Sequence, residues 1–201
     1  MSRYDAAPSE GEILPNKLGL ADIEAINKEE LIGFAQAEHD AVDALQPDTV
    51  FTLDYLYDLH RAALGSLYDF AGKLRTVNMS KDGFAFPAAE FLPTNLQEFE
   101  RKFLRPFSGD NKWEEDEEDM DFMKRLAALH AELLYIHPFR EGNGRIVRLF
   151  TRLIALAKSG KDLNFELLTR GDNFQRYVAA VQQAAKGEYG LMQELFSEMQ
   201  A

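Results

Sequence analysis

His137-Pro138-Phe139-Arg140-Glu141-Gly142-Asn143-Gly144-Arg145-Ile146-Val147-Arg148 joins two segments of strong helical periodicity. Upstream, Phe122, Met123, Leu126, Leu129, His130, Leu133 and Leu134 recur at helical spacing. They run up to His137-Pro138, where proline disfavours helical backbone in the residue before it. Downstream, a helix beginning near Arg145 carries Ile146, Phe150, Leu153, Ile154 and Ala157 on its buried face and stops at Lys158-Ser159-Gly160-Lys161. Between the two, Gly142 and Gly144 allow positive φ and close approach, so that successive N–H groups can form a concave anion site. The following helix adds the positive end of its dipole. Arg145, Arg148 and Arg152, at i, i+3 and i+7, fall within an arc of roughly 60° on one helix face. Arg152 lies about 10 Å further along the axis than Arg145 and is the weaker candidate for the same anion. Glu141, the single carboxylate, either pairs with Arg140 or Arg145 or holds Mg²⁺, an ion that takes one or two carboxylates together with phosphate oxygens and water. His137 reads either as a histidine ending a helix or as a general base beside a phosphate-bound reaction centre.

Working outward, Leu20, Ile23, Ile26, Leu31, Phe34 and Ala35 suggest one buried face of a helix, and Tyr55, Leu56, Leu59, His60 and Ala63 another, over Asp48 to Leu64 with Gly65 as its stop. Gly72 to Thr94 is too broken for a helix. Two short extended runs about Lys81-Asp82-Gly83 predict a small β-hairpin, Asp-Gly being a strong turn signal. Leu96 to Phe107 returns to helix, and two further helices are expected over about Asn173 to Lys186 and Tyr189 to Met199. Asp110 to Asp121, with eight acids and one base, reads as a solvated loop and first helical turn, with Trp113 as a packing anchor. His39, His60 and His130 show no metal-ligand grouping and read as helix-face histidines. The pattern is an all-α domain with one small hairpin. Residues 1–12 form a loose start; residues 1–47 are an extension and helix packed on the core, and 48–201 the main domain of a single folded unit.

The chain has 201 residues, 22 Lys+Arg against 34 Asp+Glu, a net charge of −12 and no cysteine. That balance argues against bulk nucleic-acid binding, which depends on Lys/Arg meeting phosphates. The missing cysteines exclude disulfides, thiolate metal sites and cysteine nucleophiles. No apolar run is long enough to span a bilayer and no leader pattern opens the chain, so a cytoplasmic protein is expected, or one delivered to another cell, with no membrane partner. His137 to Arg152 carries four bases and one acid, a local +3.

His137 to Arg148 resembles the core motif of the Fic family, His-x-Phe-x-(Asp/Glu)-Gly-Asn-Gly-Arg-x-x-Arg, at all eight specified positions. Tyr68 to Arg75 looks like that family's entry to its flap, and the hairpin follows where the flap should be. The resemblance covers about residues 50–195. It implies a compact α-helical domain with a β-hairpin flap that transfers AMP from ATP to a Tyr, Thr or Ser hydroxyl of a target protein, releasing pyrophosphate. It implies His137 as the base and Phe139 as the loop's anchor in the core. Glu141 becomes the Mg²⁺ ligand, and Gly142, Asn143 and Gly144 the anion hole, with the Asn143 side chain near the α-phosphate. Arg145 and Arg148 become the contacts to the β- and γ-phosphates. The flap would run from Val77 to about Phe91, with Val77, Asn78, Met79, Ser80, Lys81, Asp82, Gly83, Phe84, Ala85 and Phe86 aligning the target by backbone pairing.

The family's intrinsic inhibitory pattern, (Ser/Thr)-x-x-x-Glu-(Gly/Asn), is absent. Thr94 to Glu98 has the spacing but is followed by Phe99, and Glu10-Gly11 has Ala6 where Ser or Thr is needed. A separate antitoxin-like protein engaging Arg148 is therefore the expected restraint. Phosphoryl transfer belongs to a branch with lysine in place of the second motif glycine, whereas Gly144 is retained here. Other nucleotidyl transfer and a non-catalytic nucleotide-binding module are the remaining alternatives.

Overall fold

The computed structural model describes residues 13–107 and 118–199. In chain order these form α1 (Ile23–Asp43), α2 (Leu53–Leu64), β1 (Ser80–Lys81), β2 (Phe84–Ala85), α3 (Leu92–Phe99), α4 (Glu118–Ile136), α5 (Asn143–Ser159), α6 (Gly171–Ala184) and α7 (Gly190–Glu198). The starts and stops have local causes. Asp22 caps α1 by accepting the Ala25 N–H at 2.8 Å, and Thr52 caps α2 by accepting that of Tyr55 at 3.1 Å. Gly65 ends α2, and Gly160 ends α5 in the left-handed conformation.

Helix α4 is the centre. It packs against α3, α5, α6 and α7, and its buried residues lie on nearly every side, from Phe122, Met123 and Leu126 to Leu133 and Ile136. Such a helix has to be apolar almost all round. Helices α1 and α2 pack on one another and on α5, so the N-terminal helix joins the same core.

Two buried histidines tie this core together. Thr151 of α5 donates its hydroxyl hydrogen to the Val147 carbonyl at 2.8 Å, so it accepts from His130 Nδ1–H at 2.8 Å. His130 Nε2 is then the acceptor for the Tyr177 hydroxyl of α6 at 2.6 Å. His60 of α2 accepts the Gly72 N–H at Nδ1, 2.8 Å, and donates from Nε2 to the Glu141 carbonyl at 3.0 Å. Both rings are neutral, each with one donor and one acceptor used. Both lie on the buried faces of α2 and α4, within the apolar stripes where the periodicity puts them, whereas His39 is exposed on α1.

Three further expectations are corrected. On α1 the buried residues are Ile26, Glu30, Phe34 and Ala37, while Leu31 is 68% exposed; Leu20 precedes the helix. The helix expected from Leu96 begins at Leu92 with Pro93 in its first turn, where proline lacks no needed N–H. It then widens into a π-helical turn over Glu100–Leu104 and tightens into a 3-10 turn over Arg105–Phe107. A 3-10 turn over Phe165–Leu167, unforeseen, precedes α6. The N-terminal twelve residues, and Trp113 with most of the acidic run, lie outside the described residues.

Burial holds the pKa of His60 down to about 4, helped by Arg145 and Arg61 against its bond to Glu141, and burial holds that of His130 well below its usual value. The unfolded chain binds these protons below about pH 6.5 and the fold does not, so stability is full above that pH and falls as pH drops. The pair should cost roughly 3 kcal/mol per pH unit between about pH 6 and pH 4. Denaturant melts at pH 7.5, 6.0 and 5.0 check this; a flat profile contradicts it.

Candidate functional site

The loop between α4 and α5 is closed by one side chain. Asn143, fully buried at the first position of α5, accepts the Phe139 N–H at Oδ1, 2.8 Å, and donates from Nδ2 to the Phe139 carbonyl at 2.7 Å. Both polar ends of the amide are therefore bonded within the loop. These two bonds shape the loop; they do not test the α-phosphate contact expected of the Asn143 side chain. Phe139 is buried and stacks on His60, with centroids 3.8 Å apart. Gly142 has φ +76°, and a Cβ there would stand 2.9 Å from Leu64 Cδ1 and 3.3 Å from Phe34 Cζ. Conformation and space both require glycine.

Arg145 follows one turn later and is held by α1. Its Nη2 donates to Glu30 Oε2 at 2.6 Å and lies 3.4 Å from Glu141 Oε1, and its guanidinium sits over the Phe34 ring at 4.6 Å. Glu30 is 2% exposed, and its other oxygen accepts the Tyr68 hydroxyl at 2.7 Å. Burial, then the bond to Glu30, pushes the Tyr68 pKa up. Glu30 and Phe34 are one helical turn apart and so present one face of α1 to the loop. Sequence periodicity missed Glu30 because a charge at a core position breaks the apolar stripe. The usable signal was its place between Ile26 and Phe34, at i+4 from one and i−4 from the other.

Glu141 is buried, with Oε1 accepting the Gly142 N–H at 2.8 Å as well as facing Arg145. Its Oε2 makes no hydrogen bond among the described residues. No group of three or more possible metal ligands occurs among those residues either. One carboxylate with an available oxygen fits Mg²⁺ held largely by phosphate oxygens and water, and does not fit an all-protein cage.

His137 has φ +52°, uncommon for a residue with a side chain, and is 7% exposed. Its Nδ1 is 3.3 Å from the Leu134 carbonyl, and its ring stacks on Phe86 at 3.8 Å and 15°. Burial, with the charges of Arg75 and Lys81, lowers its pKa to about 3 against the bond to Leu134. Phe86 belongs to the hairpin. Ser80 pairs with Ala85 and Lys81 with Phe84, and the turn residues Asp82 and Gly83 have φ +49° and +80°, as a type I′ turn requires. Phe86 N–H extends the pairing to the Met79 carbonyl at 3.1 Å, and the Asn78 side chain accepts the Ala89 N–H at 2.9 Å. Phe84 reaches Tyr135 while Phe86 reaches His137, so alternate residues of one strand lie over the end of α4.

Arg148 lines a groove of about 840 Å³ together with Leu31, Phe34, Arg145, Leu149 and Arg152. It also acts on the buried Tyr177 hydroxyl as a neighbouring charge and hydrogen-bond partner. Arg152 is engaged elsewhere, bridging Glu38 of α1 and Asp162. Glu98, of the chance inhibitory spacing, pairs with Lys102 one turn further along its own segment. Glu30→Ala should leave the Tyr68 hydroxyl and Arg145 without their common partner and cost on the order of 2–3 kcal/mol, less than a fully buried pair because Arg145 is partly exposed. A lower denaturant midpoint at unchanged slope is the expected measurement.

The Fic/DOC family profile matches residues 50–155. A protein adenylyltransferase of Bartonella henselae is 27% identical over 207 residues, covering 92% of this chain and 35% of the relative. A probable protein adenylyltransferase Fic of Escherichia coli is 26% identical over 147 residues, covering 73% and 68%. The chain thus spans about a third of the length of the first. Among solved structures, the N-terminal Fic domain of a Bartonella effector protein from Bartonella sp. AR 15-3 aligns with a TM-score of 0.76 at 24% identity, covering 96% of this chain and 89% of that one. BepC from Bartonella tribocorum, solved with bound AMPPNP, aligns at 0.74 and 20%, covering 95% and 93%. At those identities the likeness is one of fold, an α-helical domain with a small antiparallel hairpin. Because the profile covers more than half of the chain, the chain belongs to the Fic/DOC family.

Proposed function

We propose that the protein transfers AMP from ATP to a hydroxyl side chain, Tyr, Thr or Ser, of a target protein. The observation that carries this reading is the meeting, within one loop and one helical turn, of a base, a carboxylate with an available oxygen, the N-terminus of α5 and two arginines on its first turns. Relatives named protein adenylyltransferases support it, as does a structural neighbour that binds AMPPNP.

His137 takes the proton of the attacking hydroxyl as its oxygen bonds to the α-phosphorus. The bridging P–O bond to the β-phosphate breaks and pyrophosphate leaves. The N–H groups of Asn143 and Gly144 and the dipole of α5 stabilise the charge that develops on the phosphoryl oxygens, while Gly142, whose N–H is bonded to Glu141, shapes the anion hole through its turn. Arg145 holds the β-phosphate and Arg148 the γ-phosphate, which orients the leaving group in line. Glu141 would hold Mg²⁺, which when bound neutralises phosphate oxygens. The hairpin presents its edge to an extended target segment. Phe139 acts only through the loop's position. A restraining antitoxin-like protein would enter the groove at Arg148, where Leu31 and Phe34 offer apolar contact beside the arginines. Action in the cytoplasm, of its own cell or a recipient's, accords with a neighbour that is a secretion-system substrate.

In a lysate with Mg²⁺, α-labelled ATP should mark a protein band and γ-labelled ATP should not, since only the α-phosphate is retained. His137→Ala should abolish the mark, a loss of at least about 100-fold. Labelling by the γ phosphate would indicate phosphoryl transfer, and labelling by neither a binding module. Because the imidazole is already neutral well below pH 6.5, kcat/KM should show no histidine-like acid limb between pH 7.5 and 5.5; a limb centred near 6.5 would contradict the buried state of the base.

A further inference from the structure

Arg75 is a buried cation with no carboxylate partner among the described residues. It is 4% exposed, and burial lowers its pKa to about 10. Every hydrogen bond of its guanidinium goes to a main-chain carbonyl. Nε donates to His137 at 2.7 Å and Nη1 to Val77 at 2.7 Å; Nη2 donates to Pro87 at 2.6 Å and, more weakly, to Ile136 at 3.4 Å. Its own N–H donates to the Pro138 carbonyl at 2.9 Å.

These acceptors belong to two units. Val77 and Pro87 are the two feet of the hairpin, one before β1 and one after β2. Ile136, His137 and Pro138 are the last residue of α4 and the start of the loop, including the one described residue with a side chain, besides Asp82 of the turn, whose φ is positive. Burying a charge costs several kcal/mol unless other groups offset it. Here four carbonyl dipoles do so, and the fork of a guanidinium is the side-chain group able to reach them all at once. An arginine needed only for packing would be better replaced by an apolar side chain of its size.

We propose that Arg75 is a positioning residue for the transfer reaction: by tying both feet of the hairpin to the His137 carbonyl, it sets the distance and register between a target segment paired to the hairpin and the His137 imidazole. This rests on the reading of His137 as base and of the hairpin as target dock. Among the described residues, none of the hydrogen bonds of Arg75 goes to the groups of α5 read as phosphate-binding, Arg145 and Arg148 included. The two halves of the site are therefore separable.

The test compares the wild-type chain with Arg75→Lys, which keeps the charge but cannot span the four carbonyls, and with His137→Ala. For Arg75→Lys the rate of marking the lysate band by α-labelled ATP at saturating nucleotide should fall at least about tenfold, while Mg²⁺–ATP affinity by calorimetry stays within about twofold. Amide exchange at Phe86 should quicken about tenfold or more, with α4 and α5 core amides unchanged. Unchanged labelling and Phe86 exchange would overturn the proposal, as would a loss of ATP affinity in step with the rate. If Arg75→Lys does not fold, Arg75→Gln, which keeps two donors, carries the same readings. Full labelling by His137→Ala, or no labelling by the wild type, would instead remove the underlying reading, and Phe86 exchange still reports on the tether.

Discussion

The pair of hydrogen bonds from the Asn143 side chain to the Phe139 peptide group fixes the turn between α4 and α5. With those bonds made, α5 starts at Asn143, its first N–H groups point outward, and Phe139 is directed under the loop onto His60. His60 then donates to the Glu141 carbonyl, which holds the carboxylate's backbone while its side chain faces the Gly142 N–H and Arg145. Gly142 completes the turn because a side chain there would meet α1 and α2. The Asn143 amide and both ring nitrogens of His60 have their partners, which makes this part of the loop rigid.

Around that turn, charge is arranged by distance rather than by total. The chain carries −12, yet the loop and α5 face gather arginines. Glu30 and Glu141 both face Arg145, so this arginine is held in place by acids while it retains donors at Nε and Nη1. Arg152 is neutralised by Glu38 and Asp162, which leaves Arg145 and Arg148 as the cations of the groove closest to the loop.

Most of this plan was legible in the residues. Proline after His137, the glycines of the loop, the apolar stripes of α4 and α5 and the Asp-Gly turn each act locally, so their sequence signals survive folding. What escaped was set by contacts distant in sequence. Glu30 is buried because Tyr68 and Arg145 meet it; its place between Ile26 and Phe34 marks the face, but the partners that allow a charge there come from elsewhere in the chain. His60 and His130 fall within the apolar stripes of their helices, but the groups that satisfy their ring nitrogens, Gly72, Glu141, Thr151 and Tyr177, come from elsewhere in the chain. The widened turn at Glu100–Leu104 likewise answers to packing against α4, not to a local breaker. At the site, the roles of the motif residues were carried by resemblance, whereas Phe86 over His137 and the amide of Asn143 closing on Phe139 required coordinates.

The seat of Arg145 on α1 bears on where the working unit begins. The profile of the family starts at residue 50, but Glu30 and Phe34 lie before it and reach the loop directly. A fragment cut to the profile would keep every motif residue and lose part of the support of two of them: Gly142 would keep Leu64 but lose Phe34, and Arg145 would keep Glu141 but lose Glu30, its closer acid. The first helix is thus less an appendage than a wall of the groove beside the loop, able to shift Arg145 without any change in the motif itself.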